Sequence, residues 1–144
     1  MSFEANTLIN RPAFAKARSE LGAGFGRILG YFREDGAKSV AAIEAAMRAR
    51  SAAAMVIPAH TLKGEAVQFG AEPLADRAAA IEAIARDCVE RQDTPEEALE
   101  HIVQLRPLFE ETLTLLEREA NPLVARKSAT GFGRRAIPTG FGEE

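Results

Sequence analysis

His60, Lys63 and Gly64 lie three and four residues apart in the stretch PAHTLKGEAVQFGA at residues 58–71. A neutral imidazole is a competent nucleophile near neutral pH. An ammonium group beside it suits an arriving anion. Glycine four residues on faces the same side of a helix, where a side chain would crowd the ring. It weakens the helix by about 1 kcal/mol relative to alanine, so access to His60 from outside is the reason the sequence suggests for it. Pro58 removes one backbone hydrogen bond and kinks a helix. Its position is tolerable here but is not explained by the same need.

At about 100° per residue, Met55, Ala59, Leu62, Ala66 and Phe69 share one side of this helix and face a core. His60, Gly64, Val67 and Ala71 fall opposite, with Lys63 on the flank. Val56 shares the histidine side, so Val56 and Val67 read as apolar parts of a docking patch around the imidazole, with Gln68 and Ala71 at its edge. Glu65 projects about 140° from His60. No carboxylate or serine at helical spacing orients the ring, which counts against a general-base enzyme.

The other chemically capable residues form no comparable group. His101 falls on a polar face and reads as a solvated side chain. Two histidines and one cysteine on separate helices have no ligand spacing, so no metal site and no cofactor are expected. GAGFG at Gly22 to Gly26 has a helical context, follows no strand, and does not make a nucleotide loop.

The elements that must position His60 are helical throughout. Asn10 and Pro12 mark the start of a short helix to about Glu20. Leu21, Phe25, Ile28, Leu29 and Phe32 give an amphipathic helix closed near Gly36, and Val40, Ile43 and Met47 give another to about Arg50. The helix bearing His60 spans roughly Ala52 to Phe69, with Gly70 as its stop. Leu74, Ala78, Ile81, Ala85 and Cys88 line the next, ending near Arg91. Thr94, Pro95 and Glu97 then read as a capping box, opening a last helix to about Glu119 through Pro107, which should bend it.

No segment alternates as a half-buried strand does. The fold class is all-α: an antiparallel up-down four-helix bundle over residues 21–119, with a short N-terminal helix in residues 1–20. Residues 120–144 read as a flexible tail, rich in glycine and carrying TGFG twice.

Within that architecture, His60, Thr61, Leu62, Lys63 and Gly64, with Gly70 and Ala71 downstream, resemble the AHTLKG signature of histidine-containing phosphotransfer (HPt) domains. The likeness covers roughly Leu21 to Leu116, and that family places the motif on the second helix of its bundle. It implies that His60 is phosphorylated on its outward nitrogen, that Lys63 helps hold the phosphoryl group, and that Gly64 leaves room for it. Glu65 stands where the family often has a small residue.

The resemblance further implies a stand-alone phosphorelay carrier, not an enzyme. Its partners would be response-regulator receiver domains, which supply the aspartate and Mg²⁺, and a hybrid or other histidine kinase. The alternative is a helical module that docks such domains through the same face without being phosphorylated.

Size and composition agree with this outline. A chain of 144 residues, 47% hydrophobic and 27% charged, has the length of one domain, and that length points to a monomer supplying all four helices. A net charge of -3 provides no basic field for nucleic acid. The single cysteine suits a reducing compartment. The start of the chain lacks a secretory pattern and no apolar run spans a bilayer, so a cytoplasmic location away from membranes is expected.

Overall fold

The computed structural model describes residues 8–120, and these are helices joined by short turns. Five α-helices follow in order: α1 (Arg11–Leu21), α2 (Phe25–Arg48), α3 (Ala52–Gln68), α4 (Glu72–Glu90) and α5 (Leu99–Ala120). Helices α2 to α5 each pack on their sequence neighbour, and α2 also packs on α5, closing a four-helix ring. Helix α1 lies against α2 and α3. Among the described residues no helix is long and apolar enough to cross a membrane. The C-terminal tail from residue 121 and its repeated TGFG lie outside the described residues.

The core is a single cluster in which Met55, Ala59, Leu62, Ala66 and Phe69 are all fully buried, the side of α3 that periodicity assigns inward. A run of aromatic contacts crosses the core: Phe14 meets Phe25 at 5.5 Å between ring centres, Phe25 meets Phe69 at 5.7 Å, and Phe32 meets Phe69 at 5.3 Å and Phe109 at 5.6 Å. Such ring contacts, three of them edge-on, add to the apolar burial of each ring. Leu8, Ile9 and Phe14 join the same cluster, so the N-terminal segment shares the core of the bundle.

Two expected boundaries are different. The helix expected to close at Gly36 continues unbroken to Arg48. Gly36 is buried against α5, where an added Cβ would stand 2.5 Å from Phe109 Cε1. Its glycine therefore serves the close approach of two helices, not a helix end.

The expected capping box is also absent. Thr94 donates to Glu96, Glu97 pairs with Arg91 at 2.9 Å, and a 3₁₀ turn at Glu96–Ala98 precedes α5. Local capping yields here to the ion pair with the end of α4.

The α3–α4 turn matters most for the site. Gly70 has φ +75°, a left-handed conformation that favours glycine, and a Cβ there would meet the Asn10 carbonyl oxygen at 2.9 Å. Asn10 holds this turn from outside: its backbone N–H donates to the Gly70 carbonyl at 2.7 Å and its Nδ2 donates to Glu72 at 2.8 Å. The same side chain caps α1, accepting from the Ala13 N–H at 3.0 Å. One residue thus starts α1 and fastens the hairpin whose register decides what faces His60.

Candidate functional site

Helix α3 begins at Ser51, whose hydroxyl accepts from the Ala54 N–H at 3.1 Å. It runs through Pro58 without ending. The missing N–H deprives the Ala54 carbonyl of its partner, and Ala54 is exposed, so water can serve it. Just beyond Pro58, His60 projects outward with its side chain 58% exposed.

The ring is oriented by a residue that spacing along α3 could not reveal. Glu82, on α4, places Oε2 3.0 Å from His60 Nδ1. Its other oxygen, Oε1, lies 2.8 Å from Lys63 Nζ. Arg86, one turn along α4, meets Oε2 through Nη2 at 2.8 Å and Nε at 2.9 Å. The Glu82 side chain is only 8% exposed.

Burial by itself would favour the neutral acid. Here the Lys63 hydrogen bond, with those of Arg86 and His60, outweighs burial and holds the carboxyl down at about 2. Glu82 is therefore ionised at neutral pH and can only accept. The Nδ1 of a neutral His60 must then carry the proton and donate it, leaving the lone pair on Nε2. Geometry and charge together select one tautomer.

Expectation and structure part at several residues. Lys63 does lie beside the imidazole, but it is engaged with Glu82. Gly64 is exposed, and an added Cβ would find nothing within 4 Å. A Cβ there would not crowd the imidazole, because it stands in open space. Any demand for glycine must come from something that approaches the helix.

Val67 is 61% exposed and Gln68 is exposed, as the helical wheel places them. Val56 is half-buried and packs against the core. Ala71 is fully buried and does not belong to the outer face. The helical wheel does not hold past the end of α3: Gly70 reverses the chain and Ala71 turns inward, its N–H bonded to the Ala66 carbonyl at 3.0 Å.

The outer face also holds Ile57, 68% exposed and within about 60° of His60 on the wheel. Its signal was an apolar residue on the histidine side, next to Pro58. Glu65 faces α2: burial, with the nearby charge of Asp35, pushes its carboxyl up, so it stands apart from the His60 group. His101 is half-buried instead of solvated, with Nδ1 accepting from Arg77 Nη1 at 3.1 Å. Arg77 accordingly faces α5, away from the patch.

The match to known proteins falls on this bundle. The Hpt domain family model matches residues 27–120, the span from the first turn of α2 to the end of α5. The chain belongs to the Hpt domain family. Hpt domains carry phosphoryl groups in two-component signalling, exchanging them with receiver domains and histidine kinases, and they are carriers rather than enzymes. Comparison with curated proteins and with solved structures returned no match. The Hpt assignment covers the four-helix ring; α1, with its hold on the α3–α4 turn, precedes it.

Proposed function

We propose that this chain is a stand-alone histidine phosphotransfer protein that carries a phosphoryl group on His60 Nε2 between the aspartates of receiver domains. The observation that carries this reading is the exposed His60 ring with Nδ1 turned to the ionised Glu82. That contact leaves Nε2 as the nucleophile. Helices α2 to α5 and every residue of the site lie within this chain.

The step balances without a proton transfer. Nε2 attacks the phosphorus of an aspartyl phosphate in line, the P–N bond forms, and the P–O bond to the aspartate breaks with its electron pair leaving on the carboxylate. Nδ1 keeps its proton, so the ring becomes cationic, and Glu82 lies 3.0 Å away to balance it. Before transfer the site holds Lys63 and Arg86 against Glu82, an excess of one positive charge. Afterwards the ring adds one positive charge and the phosphoryl group about two negative ones, and the site is close to neutral. The receiver supplies the aspartate and Mg²⁺, and the apolar side chains of Ile57 and Val67 flanking His60 suit a transient docking surface.

Incubation with a phosphorylated receiver should give an acid-labile, base-stable label on the wild type and none on His60→Gln. Equal labelling of the two would refute the proposal. A module that docks without phosphorylation would instead leave binding and signalling output intact in His60→Ala.

A further inference from the structure

Lys63, the cation nearest in sequence to His60, is not held out toward Nε2. Its ammonium is bound to Glu82 Oε1 at 2.8 Å. To reach a phosphoryl group on Nε2 it must leave a carboxylate whose side chain is only 8% exposed, and a buried carboxylate stripped of its counter-ion is strongly disfavoured. A second cation is already in place. Arg86 approaches Oε2 through two nitrogens, at 2.8 and 2.9 Å, the same oxygen that meets His60 Nδ1.

We propose that Arg86 is a positioning residue that acts through Glu82: once His60 is phosphorylated, Arg86 balances the carboxylate while Lys63 exchanges Oε1 for the phosphoryl oxygens. This rests on the reading of His60 as phosphoacceptor. No covalent bond changes in the exchange; one ion pair replaces another, and Oε2 keeps the Nδ1 proton as its hydrogen-bond partner. The roles are not interchangeable. Lys63 shares α3 with His60, three residues on and on the same side, whereas Arg86 sits on α4 and is bound to the oxygen that orients the ring. Two cations on one carboxylate are then a requirement of the exchange, since a single one would be trapped.

The test is a double-mutant cycle on the full chain with phosphoramidate as a chemical phosphoryl donor, reading the rate of phosphohistidine formation. Lys63→Met should slow labelling about tenfold in the wild-type background, the scale of one partly exposed charge-assisted contact. In the Arg86→Gln background Lys63 stays on Glu82, and Lys63→Met should then cost less than about twofold. Arg86→Lys should restore the tenfold sensitivity to Lys63→Met. Each substitution takes a counter-ion from a carboxylate only 8% exposed and should lower the melting temperature, so labelling rates are compared at a temperature where melting curves show every variant folded.

An equal cost of Lys63→Met in both backgrounds would overturn the exchange while leaving His60 as phosphoacceptor. Absence of label on the wild type, or equal label on His60→Gln, would overturn the phosphoacceptor reading and the exchange with it.

Discussion

Replacing Glu82 with glutamine should remove a specific part of the acid sensitivity of this fold. The folded carboxyl titrates at about 2 against an ordinary 4.5. A group whose affinity for protons falls on folding contributes stability that is fully present above its unfolded value and lost as pH drops through the folded one. The window is therefore from about pH 4.5 down to about pH 2.

At about 1.4 kcal/mol per tenfold change in proton affinity, the full difference corresponds to about 3 kcal/mol. Lys63 and Arg86 are partly solvated, 34% and 57% exposed, and screening by water reduces the figure to about 1–2 kcal/mol. The amide of the Glu82→Gln variant cannot titrate, so that variant lacks this component. Glu44, held low mainly by its hydrogen bond from Arg106, and Glu65, pushed up by burial, remain in both proteins and cancel.

Urea unfolding at fixed temperature from pH 6 to pH 2, run on wild type and Glu82→Gln, measures the difference directly. The gap between the two stability curves should narrow by about 1–2 kcal/mol across the window. Parallel curves would refute the claim that Glu82 is ionised and tied to Lys63, Arg86 and His60, and with it the argument for the His60 tautomer.

Two glycines should respond in opposite senses. Gly64→Ala places a methyl in open space and should raise stability by about 0.5–1 kcal/mol, while slowing transfer from a phosphorylated receiver. Gly36→Ala drives a Cβ toward Phe109 and should lower stability by about 1–2 kcal/mol, overpacking outweighing the gain in helix propensity. Thermal and urea melts of both variants decide the signs. On the outer face, Ile57→Asp and Val67→Asp should weaken receiver binding about tenfold or more, measured by calorimetry, yet leave labelling by phosphoramidate within about twofold.

Periodicity is enough to find α3, its buried side and its exposed histidine, because an amphipathic helix writes its orientation into a spacing of about 3.6 residues. It also finds Val67 and Gln68 on the outer face, since those residues belong to the same helix. It fails at Ala71, where the helix has ended, and at Gly36, where a packing glycine has the same letter as a terminating one. Glycine in a helix can mean a stop, a close approach or an open outer surface, and Gly70, Gly36 and Gly64 represent one of each.

Glu82 marks the limit of what the sequence by itself determined. Nothing in the spacing along α4 singles it out, and two of its partners, His60 and Lys63, lie on another helix, 22 residues away in sequence for His60. What joins them is the α3–α4 hairpin, turned at Gly70 and fastened by Asn10, which sets residue 60 level with residue 82. The sequence determined the histidine and the helix that exposes it. Only the tertiary structure decided which ring nitrogen is engaged and which is left outward, because that depends on a carboxylate brought up from the neighbouring helix and kept ionised by Lys63 and Arg86.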